Sequence, residues 1–278
     1  MKTIKSIIND TKDTVELKGL VEVYEELAAE KIQKVRRLIL SVRDFYEELS
    51  KLSEEIGIDF EHINEFRGKK CAAVFIGANS GLYGDIIDNT LRLFLAFIKT
   101  NQADTYVIGK HGQDLMRQTG QQIPYTPIHL SDDTIEENAL KNLSQTVIGY
   151  QKVILFFGQF KNIAVQTATI KTLPGELLPQ TPISSDDLKK IHFHYLYEPT
   201  LTDVSDLFIN EIFDSLLEQI IRESQLAKFA SRLMHLDSTI EKIGKTINSL
   251  SKEKRRAHKN SINKKQNNMI TGIMVRGL

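Results

Sequence analysis

The chain of 278 residues contains one cysteine, no tryptophan and no excess of charge, with 36 basic and 36 acidic side chains. Cys71 alone cannot build an internal disulfide or a cysteine-based zinc site, which excludes the small disulfide-stabilised and zinc-stabilised classes. Charged residues interrupt every aliphatic run well before the roughly 18 residues that a membrane-spanning helix needs. The first residues, MKTIKSIINDTKD, show no apolar segment typical of a secretory signal. We therefore expect a protein of a reducing, cytoplasmic compartment.

The balance of residue types is that of a folded protein. Hydrophobic residues make up 41% of the chain and charged residues 26%, whereas a wholly disordered chain has fewer apolar residues and a net charge. The length is sufficient for one large domain or two modest ones with a buried core.

Glycine and proline are distributed unevenly along the chain. Both are absent from residues 20–56 and from residues 200–243. Because these two residues interrupt regular elements, we predict three segments. They are an N-terminal coiled-coil helix (1–66), a central α/β domain (67–199) and a C-terminal coiled-coil helix (200–278).

Apolar residues recur along the N-terminal segment at alternating spacings of three and four, interrupted by one lysine. The positions are Val21, Tyr24, Ala28, Lys31, Val35, Leu38, Val42, Phe45, Leu49 and Leu52. A sustained repeat of 3.5 residues is typical of a coiled-coil seam. A second long helical pattern runs over 203–250, so we predict that the two helices pair as an antiparallel coiled coil. The alternative is that each helix packs separately on the central domain.

The central domain alternates strand patterns with helix patterns. Strands are predicted at 69–77, 105–108, 123–126, 152–157, 164–172 and 192–197, and helices at 82–98, 110–119 and 131–150. Such alternation favours a mostly parallel sheet covered by helices, in a Rossmann-like α/β domain. The strand at 164–172 is predicted to be an edge or antiparallel strand.

No catalytic, cofactor or metal site is predicted. The loop GANSGLYGD (77–85) lies where a phosphate-binding loop would lie, but it matches neither nucleotide-binding fingerprint, so we interpret it as a tight turn. His192 and His194 share a strand face without a carboxylate at companion spacing. Asp132 and Asp133 are interpreted as caps of the helix predicted at 131–150.

A basic run lies near the C-terminus. Residues 251–268 hold seven lysine and arginine side chains against Glu253 alone. Such a run attracts nucleic acid, an anionic membrane or acidic groups of a protein partner, or it forms a solvated helix face. It contains no aromatic residue, so stacking on nucleic-acid bases is not supported.

Several short segments occur in the order found in a known family. The segments are LAAEKIQKVR (27–36), GANSGLYGDI (77–86), TYVIGKHGQDLMRQTG (105–120) and YLYEPT (195–200). The matching positions include Ala28, Ala29, Lys31, Lys34, Gly81, Leu82, Gly84, Glu198, Pro199, Ala230 and Arg232. As an ordered set, these segments resemble the gamma subunit of rotary F-type ATP synthases, of which this chain looks like a divergent member.

The C-terminal segment departs from that family. Where the family has two glutamates and an apolar tip, this chain has basic and polar residues. Aligned on Ile262, they are Arg255, His258, Lys259, Asn263, Lys265, Gln266 and Asn268.

The resemblance implies a central stalk subunit that couples ion translocation to ATP synthesis or hydrolysis and is not catalytic by itself. It implies no cofactor and no nucleic acid. The implied partners are the alpha and beta subunits of the catalytic hexamer, the epsilon subunit and the membrane rotor ring, on the inner face of the cell membrane. The alternative is a gamma-like scaffold or stalk of a specialised ATPase machine without ion translocation. The candidate partner contacts are Lys31, Gly81, Leu82, Gly84, Arg232, Arg255, Arg256, His258 and Lys259.

Overall fold

Two long helices flank an α/β domain in the computed structural model, which describes residues 3–56, 71–120, 123–173, 198 and 200–276. The helices are α1 (Ile4–Ile56), α2 (Ile86–Thr100), α3 (Lys110–Gln118), α4 (Glu137–Val147) and α5 (Leu201–Arg276). The strands are β1 (Ala72–Ile76), β2 (Asp104–Ile108), β3 (Thr126–Ile128), β4 (Val153–Phe160) and β5 (Gln166–Leu173). The strand predicted at 192–197, with His192 and His194, lies outside the described residues.

The five strands form one sheet in the order β3-β2-β1-β4-β5. β1 pairs in parallel with both β2 and β4, and β2 pairs in parallel with β3. β5 pairs antiparallel with β4 at the edge of the sheet. The predicted mostly parallel sheet with an antiparallel edge strand is therefore confirmed.

Alternate side chains of the strands enter two different cores. On one face, Val74 of β1 and Leu155 of β4 pack with α4 and with α5 residues from Ile212 to Ile221. On the other face, Phe75 and Phe156 contact Phe94 of α2 in stacked and edge-on arrangements with ring centroids 5.5 and 5.3 Å apart. Because both faces are covered, the strands read as continuous apolar runs, as is usual for buried parallel strands.

Two helices begin later than the sequence predicts. α2 starts at Ile86 instead of residue 82, because Leu82 and Gly84 have φ angles of 67° and 55°, which no α-helix contains. α4 starts at Glu137 instead of Ser131, because Ser131 Oγ accepts hydrogen bonds from the backbone N–H groups of Asp133 and Thr134 in a local turn.

The start of α5 agrees with the sequence. Thr200 Oγ1 accepts a hydrogen bond of 3.2 Å from the backbone N–H of Asp203, which caps the helix. No helix in the described part of the chain is both long enough and apolar enough to cross a membrane.

The chain divides into two units, to which α1 and α5 both contribute. The terminal unit is Met1–Ala28 with Leu233–Leu278, and the central unit is Ala29–Arg232. In the terminal unit, Val21 of α1 packs with Leu236 and Ile243 of α5.

Within the central unit, the contacts show how α1 and α5 run. Lys31 lies over the ring of Phe229, whereas Tyr46 and Leu49 pack against the cluster that contains Ile212 and Phe213. Residues later in α1 therefore contact residues earlier in α5, so the two helices are antiparallel, as predicted.

Of the apolar positions predicted to form the buried stripe of α1, only every second one is buried or partly buried in the structure. Val21, Ala28 and Val35 are buried as predicted, and Ile32 is buried in place of Lys31. The prediction is wrong at Tyr24, Leu38, Phe45 and Leu52, which are exposed. The less exposed residues are one position later, at Glu25, Ile39 and Tyr46. Adjacent apolar pairs such as Leu38 and Ile39 fit a 3.5-residue repeat equally well, so periodicity alone does not choose between them.

Two substitutions on α1 distinguish the observed stripe from the predicted one. Val35→Asp should lower the free energy of unfolding by more than about 3 kcal/mol, because a carboxylate replaces a side chain that is 3% exposed. Leu38→Asp should change it by less than about 1 kcal/mol, because Leu38 is 38% exposed. Urea unfolding followed by circular dichroism measures both, and equal losses would contradict the observed burial.

Candidate functional site

The residues with the most unusual environment lie where the loop after β1 meets α5. β1 has β2 on one side and β4 on the other, so the direction of the strand order changes here. We call the site the α5 junction. It comprises loop residues 77–84, Asp132, Asp133, Lys31 and residues 225–232 of α5, all within the central unit.

The centre of the α5 junction is a buried ion pair. Lys228 Nζ lies 2.7 Å from Asp132 Oδ1, and the two side chains are 8% and 9% exposed. Lys228 Nζ also donates a hydrogen bond of 3.0 Å to the backbone oxygen of Gly77, the residue that follows β1. A buried ammonium is tolerated only when its charge and its N–H groups have partners, and both partners here come from the α/β domain.

Asp132 also holds the loop after β1. Its Oδ2 accepts hydrogen bonds from the backbone N–H groups of Asn79 at 2.6 Å and Ser80 at 3.3 Å. The interpretation of Asp132 as a helix cap is therefore wrong, because α4 begins five residues later and the carboxylate faces α5 and this loop. Asp133 does not cap α4 either, since its carboxylate forms an ion pair with Lys31 of α1.

Further polar contacts fasten α5 on both sides of Lys228. Gln225 Nε2 donates to the backbone oxygens of Asp132 at 2.6 Å and Asp133 at 3.2 Å. One turn further along, Ser231 Oγ donates to the backbone oxygen of Tyr83 at 2.6 Å. A Cβ atom on Gly84 would lie 2.8 Å from Ser231 Oγ, so the close approach of the loop to α5 requires glycine there.

Arg232 closes the junction on the loop side. Its guanidinium lies 4.0 Å from the centre of the Tyr83 ring, within the range of a cation–π contact. Arg232 also donates hydrogen bonds to Ser80 Oγ at 2.8 Å and to the backbone oxygen of Gly81 at 2.9 Å. Both hydrogen bonds come from Nη2, so one end of the guanidinium holds two consecutive residues of the loop.

The buried carboxylate changes the titration of its neighbour Tyr83. Burial, and secondarily the negative charge of Asp132, raise the pKa of the Tyr83 phenol to about 12. Tyr83 is therefore a neutral phenol at physiological pH. Its hydroxyl donates a hydrogen bond to Asp132 Oδ2 and accepts one from Ser80 Oγ.

The nine predicted partner-contact residues lie in two places. Lys31, Gly81, Gly84 and Arg232 are engaged in contacts within the α5 junction, whereas Leu82 projects from the loop and is 56% exposed. The other four are exposed residues of α5 in the terminal unit: Arg255, Arg256, His258 and Lys259. Whether a partner protein contacts any of the nine stays a prediction.

Sequence reasoning missed the residues at the centre of the junction. Lys228 and Gln225 lie in a helical pattern that reads as apolar with ordinary polar insertions. The only local signal is that both lie on the same face of α5 as buried Ile221, where a solvated side chain is not expected. Their partners are 92 to 151 residues away, so no local motif contains them.

The α5 junction lies at a position where open α/β sheets commonly bind ligands. In open α/β sheets, ligands bind outside the carboxyl ends of the strands, where the strand order reverses. Here the ammonium of Lys228 lies at the end of β1 and bonds to its first loop carbonyl. A side chain of the chain's own helix thus occupies a position that many such folds use for a ligand.

Comparisons with known proteins agree over nearly the whole chain. A protein-family model described as ATP synthase matches residues 1–274. The ATP synthase gamma chain of Halothermothrix orenii is 23% identical over 290 aligned positions, which cover 98% of this chain and 97% of the relative. The ATP synthase gamma chain of Flavobacterium johnsoniae is 23% identical over 263 positions, which cover 90% and 89%.

Solved structures share the fold. The rotor of the mitochondrial ATP synthase of Euglena gracilis matches with a TM-score of 0.63 at 15% identity, covering 93% of this chain and 98% of that chain. The central stalk of the Tetrahymena thermophila mitochondrial ATP synthase, solved with its c-ring, matches with a TM-score of 0.57 at 15% identity, covering 79% and 99%.

Removing one partner of the buried ion pair should destabilise the chain strongly. Lys228→Met should lower the free energy of unfolding by about 3–5 kcal/mol, because it leaves the Asp132 carboxylate buried without its counter-charge. The double variant Asp132→Asn with Lys228→Met should lose less than the sum of the single variants, since no unpaired charge remains. Urea unfolding measures these differences. The control is Lys141→Met, at the exposed pair with Glu137, which should unfold near the parental midpoint. Additive losses in the double variant would contradict the coupling of the two charges.

Tyr83 should make stability depend on alkaline pH. Its pKa is about 12 when folded against 10.0 when free, so the unfolded chain loses this proton first. The free energy of unfolding should therefore fall as pH rises from about 10 to about 12, by about 2–3 kcal/mol from this group. Tyr83→Phe removes that contribution, so its stability should fall less steeply over the same interval. Parallel curves for the two proteins would contradict the assignment.

Proposed function

We propose that this chain transmits rotation between a membrane rotor ring and a catalytic hexamer of alpha and beta subunits. It belongs to the ATP synthase family, as a gamma-type central stalk subunit, and the proposed role proceeds from that membership. The observation that carries the proposal is α5. It is one continuous helix of 76 residues. In the central unit a buried ion pair fastens it to the segment between β3 and α4, and in the terminal unit it packs on α1.

A shaft must resist both bending and twisting. Two helices that pack along an apolar seam resist bending, because bending separates buried side chains. Twisting of α5 against the α/β domain is opposed at the α5 junction, where Gln225, Lys228 and Ser231 are each bonded to that domain. Rotation of the helix by even one residue position would remove the Lys228 ammonium from Asp132 and leave two buried charges unpaired.

The catalytic chemistry is assigned to other subunits. The charged groups of the α5 junction are bonded to one another and to the loop backbone. They therefore position chain elements and do not activate a nucleophile. We propose that the chain influences ATP synthesis or hydrolysis by imposing different conformations on the catalytic subunits around it.

The location and the remaining partners follow from the same proposal. We propose that the chain lies on the cytoplasmic face of the cell membrane, attached to it through the rotor ring, with an epsilon subunit as a further partner. Conformational coupling through a stiff subunit needs no cofactor and no nucleic acid.

Co-expression with the alpha and beta subunits of the same genome tests the proposal. A complex with one copy of this chain per hexamer should purify, and its ATPase activity should fall when this chain is omitted. The omission control is necessary because catalytic subunits can retain some activity alone. If the chain fails to co-purify, the stalk assignment is wrong. A stable hexamer complex that never joins a membrane ring would favour the alternative stalk of a machine without ion translocation.

A further inference from the structure

A cleft of about 680 Å³ lies in the central unit, where it is lined by residues of α1, α4 and α5. We call it the three-helix cleft. None of the residues of the α5 junction lines it. Its volume is that of a small-molecule site, for which about 300–1,000 Å³ is usual. The transmission of rotation gives this cleft no task, so its lining requires a separate explanation.

Part of the lining is apolar. It includes Val42 and Phe45 of α1, Leu140 of α4 and Leu217 of α5. Leu217 is buried, whereas the Phe45 side chain is 47% exposed. Phe45 was predicted to lie in the seam with α5, and its ring instead remains accessible beside the cleft. An apolar group that enters the three-helix cleft therefore finds apolar surface on all three helices.

The polar part of the lining carries an excess of negative charge. It contains four carboxylates but only two cations, Lys141 and Arg222. Each cation is already paired within the lining, Lys141 with Glu137 at 2.9 Å and Arg222 with Glu218 at 2.5 Å. The other two carboxylates form no ion pair in the described part of the chain: Glu211 and Asp214.

Asp214 is held so that one of its oxygens remains available. Its Oδ1 accepts a hydrogen bond from the Ser144 hydroxyl of α4, and Ser144 is buried. Among the residues that the structure describes, none bonds to Asp214 Oδ2. A carboxylate that is fixed through one oxygen and open at the other is a suitable acceptor for a charged N–H donor.

A buried hydroxyl beside Asp214 also lacks a partner. Ser215 lines the three-helix cleft and is 5% exposed, yet its Oγ forms no hydrogen bond within the described ranges. A helical hydroxyl commonly bonds to the backbone oxygen four residues earlier, as Thr90 Oγ1 does to Ile86 at 2.7 Å. Because a buried hydroxyl without a partner costs free energy, a ligand that supplies an N–H donor here gains a favourable contact.

We propose that the three-helix cleft binds an organic cation that carries an ammonium group on an apolar body. The ammonium donates to Asp214 Oδ2 and Ser215 Oγ, and the charge of Glu211 adds to the attraction. The apolar body packs on Leu217 and Phe45, whose ring also attracts a cation through its face. The inference concerns this chain alone and does not depend on the proposed stalk function.

Other small ligands fit the lining less well. An anion meets the unpaired carboxylates and is repelled. In the described part of the chain, no group of three or more histidine, cysteine, aspartate or glutamate side chains could hold a metal ion. A neutral apolar molecule covers the apolar surface but leaves the Asp214 carboxylate without a counter-charge.

Isothermal titration calorimetry of the full-length chain with three probes tests the inference. Phenethylammonium has both a charge and an apolar body, methylammonium has the charge alone, and 2-phenylethanol has the apolar body alone. Phenethylammonium should bind at least about tenfold more tightly than either of the other two, because only it engages both parts of the lining. Equal affinities for the three probes, or no binding of phenethylammonium at millimolar concentration, would overturn the inference.

Two substitutions in the lining identify the site. Asp214→Asn should weaken the binding of phenethylammonium at least about tenfold, and Phe45→Ala at least about threefold. The matched controls are Asp206→Asn and Leu52→Ala, which change exposed residues of the same two helices outside the cleft lining. Both controls should stay within about twofold of the parent.

The variants also separate the inference from simpler causes. Circular dichroism confirms folding, and Phe45→Ala changes an exposed side chain, so it tests the site even if Asp214→Asn unfolds the chain. Equal losses in the variants and their controls would show that diffuse charge attracts the probe, and the inference would be wrong. It is also wrong if phenethylammonium does not bind but an added alpha, beta or epsilon subunit slows amide hydrogen exchange around Phe45 and Asp214. The cleft would then hold a protein segment.

Discussion

The buried ion pair of Asp132 and Lys228 is the interaction on which the central unit depends. A carboxylate and an ammonium removed from water each lose several kcal/mol of hydration, which only well-placed partners offset. The partners are supplied by the loop after β1, which turns through residues with positive φ at Leu82 and Gly84. The same requirement keeps the segment before α4 out of the helix, because the Asp132 carboxylate must reach that loop. The shapes of two loops and the placement of α5 therefore depend on one pair of charges.

The α5 junction uses a familiar property of parallel sheets for an unfamiliar purpose. The carboxyl end of β1 offers a free backbone carbonyl and a cluster of loop N–H groups, which is why many folds of this class place a ligand there. In this chain the carboxylate of Asp132 takes the N–H groups and the ammonium of Lys228 takes the carbonyl. A position suited to a small molecule thus becomes a joint between two parts of one protein.

The sequence predicts the strands of the sheet better than it predicts where the helices begin. β1 and β4 are short apolar runs whose burial depends mainly on their own residues, so composition identifies them. The start of α2 depends on the positive φ angles of the loop before it, and the start of α4 on a turn at Ser131, neither of which the helical pattern shows. On α1, Leu38 and Ile39 are both apolar, so only the packed structure shows which one is buried. Arg232 was identified by family resemblance, whereas Asp132 and Lys228 become recognisable only once their side chains meet.

The long sequence separations at the α5 junction determine the order in which this protein can mature. Lys228 is 96 residues from Asp132 and 151 residues from Gly77 along the chain. During synthesis the last strand of the described sheet is therefore finished well before the counter-charge of Asp132 leaves the ribosome. Until then the Asp132 carboxylate lacks its counter-charge, and the domain lacks the helix that covers one face of its core. Docking of α5 is consequently the last step in the folding of the central unit. A chain whose synthesis stops before α5 has an incomplete domain, which the cell's quality-control proteases can degrade.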